Sequence, residues 1–228
     1  MANKNKGKVI QMLSPENYIR KKARSLPIYE CWINTNWEDS GMANIVIARI
    51  HTNGNITFCL YLVDLLCLGV KDTGYKFNVT ETEYRDFLER HLHRMEVEMI
   101  DYVLVHNIIL SAVEFAEEYG FKPYKDFTSV TEFMLEEDTE DIELIEIECG
   151  RNGKPFYMQG PYDDEAKANK IIKQLESTAG RGNFDFVKDF DFDEDDDFEE
   201  DEVDDWDEDE GDIDGDEEYD DWDEVKDN

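Results

Sequence analysis

Apolar residues recur with period two in several stretches of the chain and with helical spacing in others, and the two patterns predict different elements. Ile28–Ile33 alternates and is rich in β-formers, with Tyr29, Cys31 and Ile33 on one expected face. Ile45–His51 and Ile56–Leu65 flank Thr52-Asn53-Gly54-Asn55, where Asn-Gly signals a hairpin turn because both residues tolerate positive φ. With Asn53-Gly54 as the loop, the expected register sets Ile47 opposite Leu60, Ile45 opposite Leu62 and Val46 opposite Tyr61. Both faces of this ribbon are apolar, which predicts a hairpin covered on both sides. A second hairpin is expected at Ile142–Cys149, turn Asn152-Gly153 and Lys154–Gln159. One of its faces should be wet, since Glu146 and Glu148 alternate with Ile145, Ile147 and Cys149.

Helices carry their own start and stop signals. Ser14-Pro15-Glu16 combines an N-cap, a proline at the first position and a first-turn acid. Thr80-x-x-Glu83 fits a capping box, followed by Tyr84, Phe87, Leu88, Leu92 and Met95 on one stripe. Val97–Tyr119 is apolar nearly all round, predicting a buried helix stopped by Gly120. Ser129-x-x-Glu132 begins a short helix, and Asp163 or Asp164 caps a last one that ends at Gly180. Phe184–Val187 adds a short strand. The order implies an α+β fold: Asn-Gly hairpins packed against a helical layer.

Charge changes the picture at both ends. Residues 189–228 hold 27 of the 58 acidic residues and one base, Lys226, a net charge of −26. Such a segment repels itself and lacks the apolar surface to offset its ordering entropy, so disorder is expected there. The resulting organisation is a basic arm and short helix over 1–26, a globular domain over 27–188 and an acidic tail over 189–228. The tail excludes direct binding of nucleic acid through it, because like charges repel, and favours basic protein surfaces. Its aromatics, Phe190, Phe192, Phe198, Trp206, Tyr219 and Trp222, are expected to add contacts to a partner. Lys4, Lys6, Lys8, Arg20, Lys21, Lys22 and Arg24 face one acid, Glu16, within Met1–Ser25; without interleaved aromatics they read as a solvated arm and helix face. The four cysteines lack paired spacing, which fits reduced thiols in a cytoplasmic setting. The amino terminus has no signal-peptide pattern, and charged or polar residues break the longest apolar runs, so no membrane span is expected.

Candidate chemistry centres on Asp64, which interrupts an apolar strand where an unpaired carboxylate is costly. With Asp72 and Lys71 it could form the metal-binding centre of a hydrolase or nuclease. The structural alternative is that Asp64 pairs with a lysine or caps backbone N–H groups at a bend near Gly69. His91-x-His93 cannot chelate jointly from a regular helix, and Cys67 with His106 lacks a nucleophile signature. Gly150–Lys154 and Gly180–Gly182 lack phosphate-loop spacing and read as turns. Glu210–Asp221 approximates a calcium loop, but Asp221 replaces the bidentate glutamate and no helices flank it.

The strings LVDLLCLGVKDT (62–73), EFAEEYGFKPYKDF (114–127) and GKPFYMQGPYDD…GRGNFDFV (153–187) resemble a family of uncharacterised bacterial cytosolic proteins. The resemblance covers most of the body from about Pro27 and leaves out the tail. It implies a shared compact fold and a cytosolic setting, but no activity, cofactor or catalytic residue. The functional expectation is a non-catalytic interaction or regulatory protein whose tail engages basic surfaces, such as those of ribosomal or nucleic-acid-binding proteins, with no cofactor. The alternative is the divalent-metal-dependent hydrolase or nuclease on Asp64 and Asp72.

Overall fold

A computed structural model describes residues 13–92 and 95–188. The acidic tail with its six aromatics, Lys4, Lys6 and Lys8 of the basic arm, His93 and the calcium-like loop lie outside the described residues.

Strands β1 (Ile28–Asn34), β2 (Met42–Ile50), β3 (Ile56–Asp64), β4 (Gly69–Val79) and β5 (Val97–Met99) form an antiparallel sheet in the order β4-β3-β2-β1-β5. Helices surround it, so the fold is α+β as the element order implied. The first helix, α1 (Pro15–Lys22), has Ser14 as N-cap, its hydroxyl accepting from Asn17 N at 3.3 Å. Ile19 and Ala23 are fully buried in the main core. The boundary expected at residue 27 thus falls inside the packed body.

One sheet face presents Cys31, Ile33, Ile45, Ile47, Cys59, Tyr61 and Val63 to a core completed by α1 and by α4 (Tyr102–Glu118), the long buried helix. The other face presents Val46, Ala48 and Phe58 to Tyr84, Phe87 and Leu88 of α3 (Glu81–Leu92). The double coverage expected of the first hairpin is therefore present. The capping box on α3 is formed as well: Glu83 N donates to Thr80 Oγ1 at 3.3 Å, and Thr80 N donates to Glu83 Oε2 at 2.7 Å.

Four details differ from the sequence reading. The β2–β3 register sets Ile45 opposite Tyr61, Val46 opposite Leu60 and Ile47 opposite Cys59, one residue from the expectation. The connection has three residues rather than two: His51 N donates to Asn55 O, Gly54 N donates to His51 O, and Gly54 sits at φ +85°. A left-handed glycine closing a turn this way adds one residue to one strand and shifts the pairing. Tyr29 lies on the α3 side rather than beside Cys31, because a bulge between the Ile28–Arg49 and Glu30–Ala48 pairs offsets the alternation. The expected helix start at Val97 is a short edge strand instead. The helix begins after Asp101, whose carboxylate caps Val103 N at 2.8 Å, and it ends before Gly120 at φ +79°, as expected.

The second hairpin is corrected more deeply. Asn152 (φ 54°) and Gly153 (φ 73°) do make the tight turn, bridged between Arg151 and Lys154. No strand forms over 142–149. That segment runs extended along α4, where the Asn107 amide takes the place of a neighbouring strand: its Nδ2 donates to Glu143 O at 3.0 Å and its Oδ1 accepts from Ile145 N at 3.0 Å. Beyond the turn, β6 (Phe156–Met158) pairs in parallel with β7 (Asp185–Val187) across α6 (Glu165–Thr178). Ala168, Ile171 and Leu175 of α6 pack with Cys67, Tyr157 and Phe184 in a third cluster. Among the described residues no helix is long and apolar enough to cross a membrane.

Candidate functional site

Asp64 ends β3, and the chain turns sharply through residues 65–68 into β4. Its Oδ1 accepts from Leu66 N at 2.9 Å and Cys67 N at 3.0 Å, and its side chain is sealed from solvent. Burial pushes the carboxyl up to about 6, against the opposing pull of the Lys71 ammonium and of the backbone N–H groups. The turn it caps presses on α4. Gly69 sits at φ +69°, and a Cβ there would lie 3.0 Å from Ala112 O, so both backbone and space call for glycine.

Lys71 acts on a second carboxyl, that of Asp163. Burial alone would raise Asp163, but the Lys167 ammonium, the Gly160 N–H and Lys71 together hold it below the usual carboxylate range. Lys167 Nζ lies 2.5 Å from Asp163 Oδ1, while Oδ2 accepts from Gly160 N at 3.1 Å and Tyr157 Oη at 3.2 Å. The N-cap of α6 is its neighbour Asp164, which accepts from Lys167 N at 2.6 Å. Asp64 thus caps the β3–β4 turn and Asp163 is held by Lys167 and the Gly160 N–H, while the Lys71 charge favours the ionised form of both carboxyls.

This is the structural role weighed for Asp64, a cap at a bend with a lysine nearby. Asp72 stands apart, exposed on β4 opposite Leu62, with its Oδ1 accepting from Thr73 N at 2.8 Å. Among the described residues no three His, Cys, Asp or Glu side chains come together as a metal site. Cys67 and His106 are likewise separated in role. Burial pushes the Cys67 thiol far up within the α6 cluster, whereas His106 Nε2 meets Glu136 O at 3.2 Å on the other side of the core. The Gly150–Lys154 segment is a turn, as expected, and Arg151 lies 3.6 Å from the centroid of the Phe156 ring.

Two features escaped the sequence reading. Arg49 on β2 is 1% exposed; it donates from Nε to Met134 O at 2.9 Å and from Nη1 to Leu26 O at 2.6 Å, and its Nη2 pairs with Glu136 at 2.7 Å. The only hint was a lone arginine inside the apolar run Ile45–Ile50. The other feature is an open groove of about 930 Å³ between α2 (Trp37–Ser40) and the 145–148 stretch of the extended segment, floored by Leu65, Leu66 and Leu104. Leu65 N donates to Gly41 O and Gly150 N to Leu65 O, each at 2.8–2.9 Å, so the floor is fastened to both walls. No family model, curated protein or solved structure matches the chain.

Proposed function

We propose that this is a non-catalytic, cytoplasmic interaction protein whose acidic C-terminal residues engage basic protein surfaces, such as those of ribosomal or nucleic-acid-binding proteins. The observation that carries the reading is the concentration of 27 of 58 acids, with six interspersed aromatics, in the last 40 residues. The body supports it from the other side. Of the groups with a claim to chemistry, Asp64 is engaged in capping the β3–β4 turn and Asp72 stands apart from it, accepting from Thr73 N, while Lys71 contributes its charge to Asp64. Four free cysteines suit a reducing compartment.

Salt separates the two contributions of the tail. At physiological ionic strength the Debye length is about 8 Å, so affinity for an oligo-arginine probe should fall steadily as salt rises. The aromatics should leave a salt-resistant remainder through cation–π contact, worth roughly 0.5–1 kcal/mol per exposed pair. Changing Phe190, Phe192, Phe198, Trp206, Tyr219 and Trp222 to serine is expected to remove that remainder. Identical salt titrations for the native and substituted chains would reduce the tail to a plain polyanion, and equal affinity after removal of 189–228 would sink the reading.

A further inference from the structure

The groove beside α2 has the features of a strand-addition site. Four consecutive residues, Ile145 to Glu148, line it. Side chains alternate across an extended segment, so a cavity that meets four in a row runs along the backbone edge rather than over one face. Asn107 satisfies this segment from the α4 side only at Glu143 O and Ile145 N. From Glu146 to Cys149 no backbone N–H or C=O has a hydrogen-bond partner among the described residues. An extended backbone with unpaired groups opening onto a groove is the arrangement that accepts an added strand.

Charge then selects the occupant. Glu38 and Asp39 stand on the α2 wall, Glu146 and Glu148 on the opposite wall, against a single base, Arg151. Glu146 and Glu148 are exposed, whereas Ile145 and Ile147 between them are half-buried. A strand laid alongside would place every second side chain next to those glutamates and the intervening ones next to apolar neighbours. We propose that the groove binds an extended segment of a partner protein in which basic residues alternate with apolar ones. The site goes beyond the acidic tail: it is structured and reads backbone as well as charge.

The test uses the full chain and the heptapeptide Lys-Val-Lys-Val-Lys-Val-Lys, with amide hydrogen exchange followed residue by residue by NMR. Saturating peptide should slow exchange of the Glu146 and Glu148 amides at least about ten-fold, since these two lie on the edge opposite Asn107 and each gains a ladder hydrogen bond, while the Ile147 and Cys149 amides on the α4 edge stay unchanged. An analogue N-methylated at its five inner residues keeps every charge but cannot pair from either edge, and should give no such protection. The double substitution Glu146→Lys, Glu148→Lys lies at the surface and should weaken binding on the order of ten-fold, as two cross-strand pairs change from attraction to repulsion. Replacing the six tail aromatics by serine should leave the protection intact, which separates this site from the tail. Affinity indifferent to N-methylation and to the glutamate reversal would place the peptide on the tail and overturn the proposal. Protection already present in the free protein and growing with its concentration would assign the groove to a second copy, and overturns it equally.

Discussion

Replacing Arg49 by methionine is expected to cost on the order of 3–5 kcal/mol of stability, the largest single loss anticipated in the body. Methionine fills the volume of the stem but offers no donors. Leu26 O and Met134 O then lose charge-assisted hydrogen bonds, each worth roughly 1.5–3 kcal/mol. Glu136 is part-exposed and can turn to water, so the cost comes from the stranded carbonyls more than from the lost ion pair. Lysine should recover only part of the loss, because one ammonium cannot reach acceptors arranged for a planar fork. For a domain of this size the methionine variant should melt roughly 10 °C lower. Urea denaturation of the three proteins checks this, and a loss below about 1 kcal/mol for methionine would show that the arginine is a passenger.

The second large effect is at Asp64 and depends on pH. Its carboxyl is raised from an ordinary value of 3.8 to about 6, so the folded chain holds this proton more tightly than the unfolded chain. The associated stability is fully present below about pH 4 and is lost as pH rises through 6. Asp64→Asn keeps an oxygen for Leu66 N and Cys67 N but cannot ionise. Its stability relative to the native chain should therefore climb by about 2–3 kcal/mol between pH 4 and 7. Asp64→Ala behaves differently: with no acceptor left for the two buried N–H groups, it should cost about 2–4 kcal/mol at every pH in that range. Paired denaturation curves at pH 4, 5.5 and 7 separate the two effects. Parallel native and asparagine curves would mean that the carboxyl titrates as if in water.

What could be read from sequence here was local. The Ser14 cap, the Thr80–Glu83 box and the Gly120 stop each depend on residues within one turn of each other, and all three are present. Asp64 was legible for the same reason, since the N–H groups it caps are two and three residues away. Features that depend on distant partners were not. Arg49 reaches residues 85 positions away at Met134, and nothing near it in the chain announces those carbonyls. Ile142–Cys149 has a strand's alternation, but alternation reports only which side of an extended chain is covered. Here the cover is α4, with a single asparagine in place of a neighbouring strand. The partner of β6 lies beyond a whole helix, so the nearby tight turn pointed to the wrong neighbour. The groove arises from that same mismatch between pattern and pairing.

The four thiols have a consequence of their own. Burial pushes Cys31 up to about 12 and Cys149 up to about 11, and Cys59 and Cys67 higher still. At neutral pH the folded chain therefore offers almost no thiolate, the form that oxidants and alkylating agents attack. Cys149 is half-buried at the end of the groove-wall segment, whereas modification of the other three must wait for exposure, and they sit in layers that need different openings: Cys67 under α6, Cys31 and Cys59 in the central sheet. Oxidation of the three buried thiols is therefore expected to follow conformational opening, and the order in which they react to record the order in which their layers come apart.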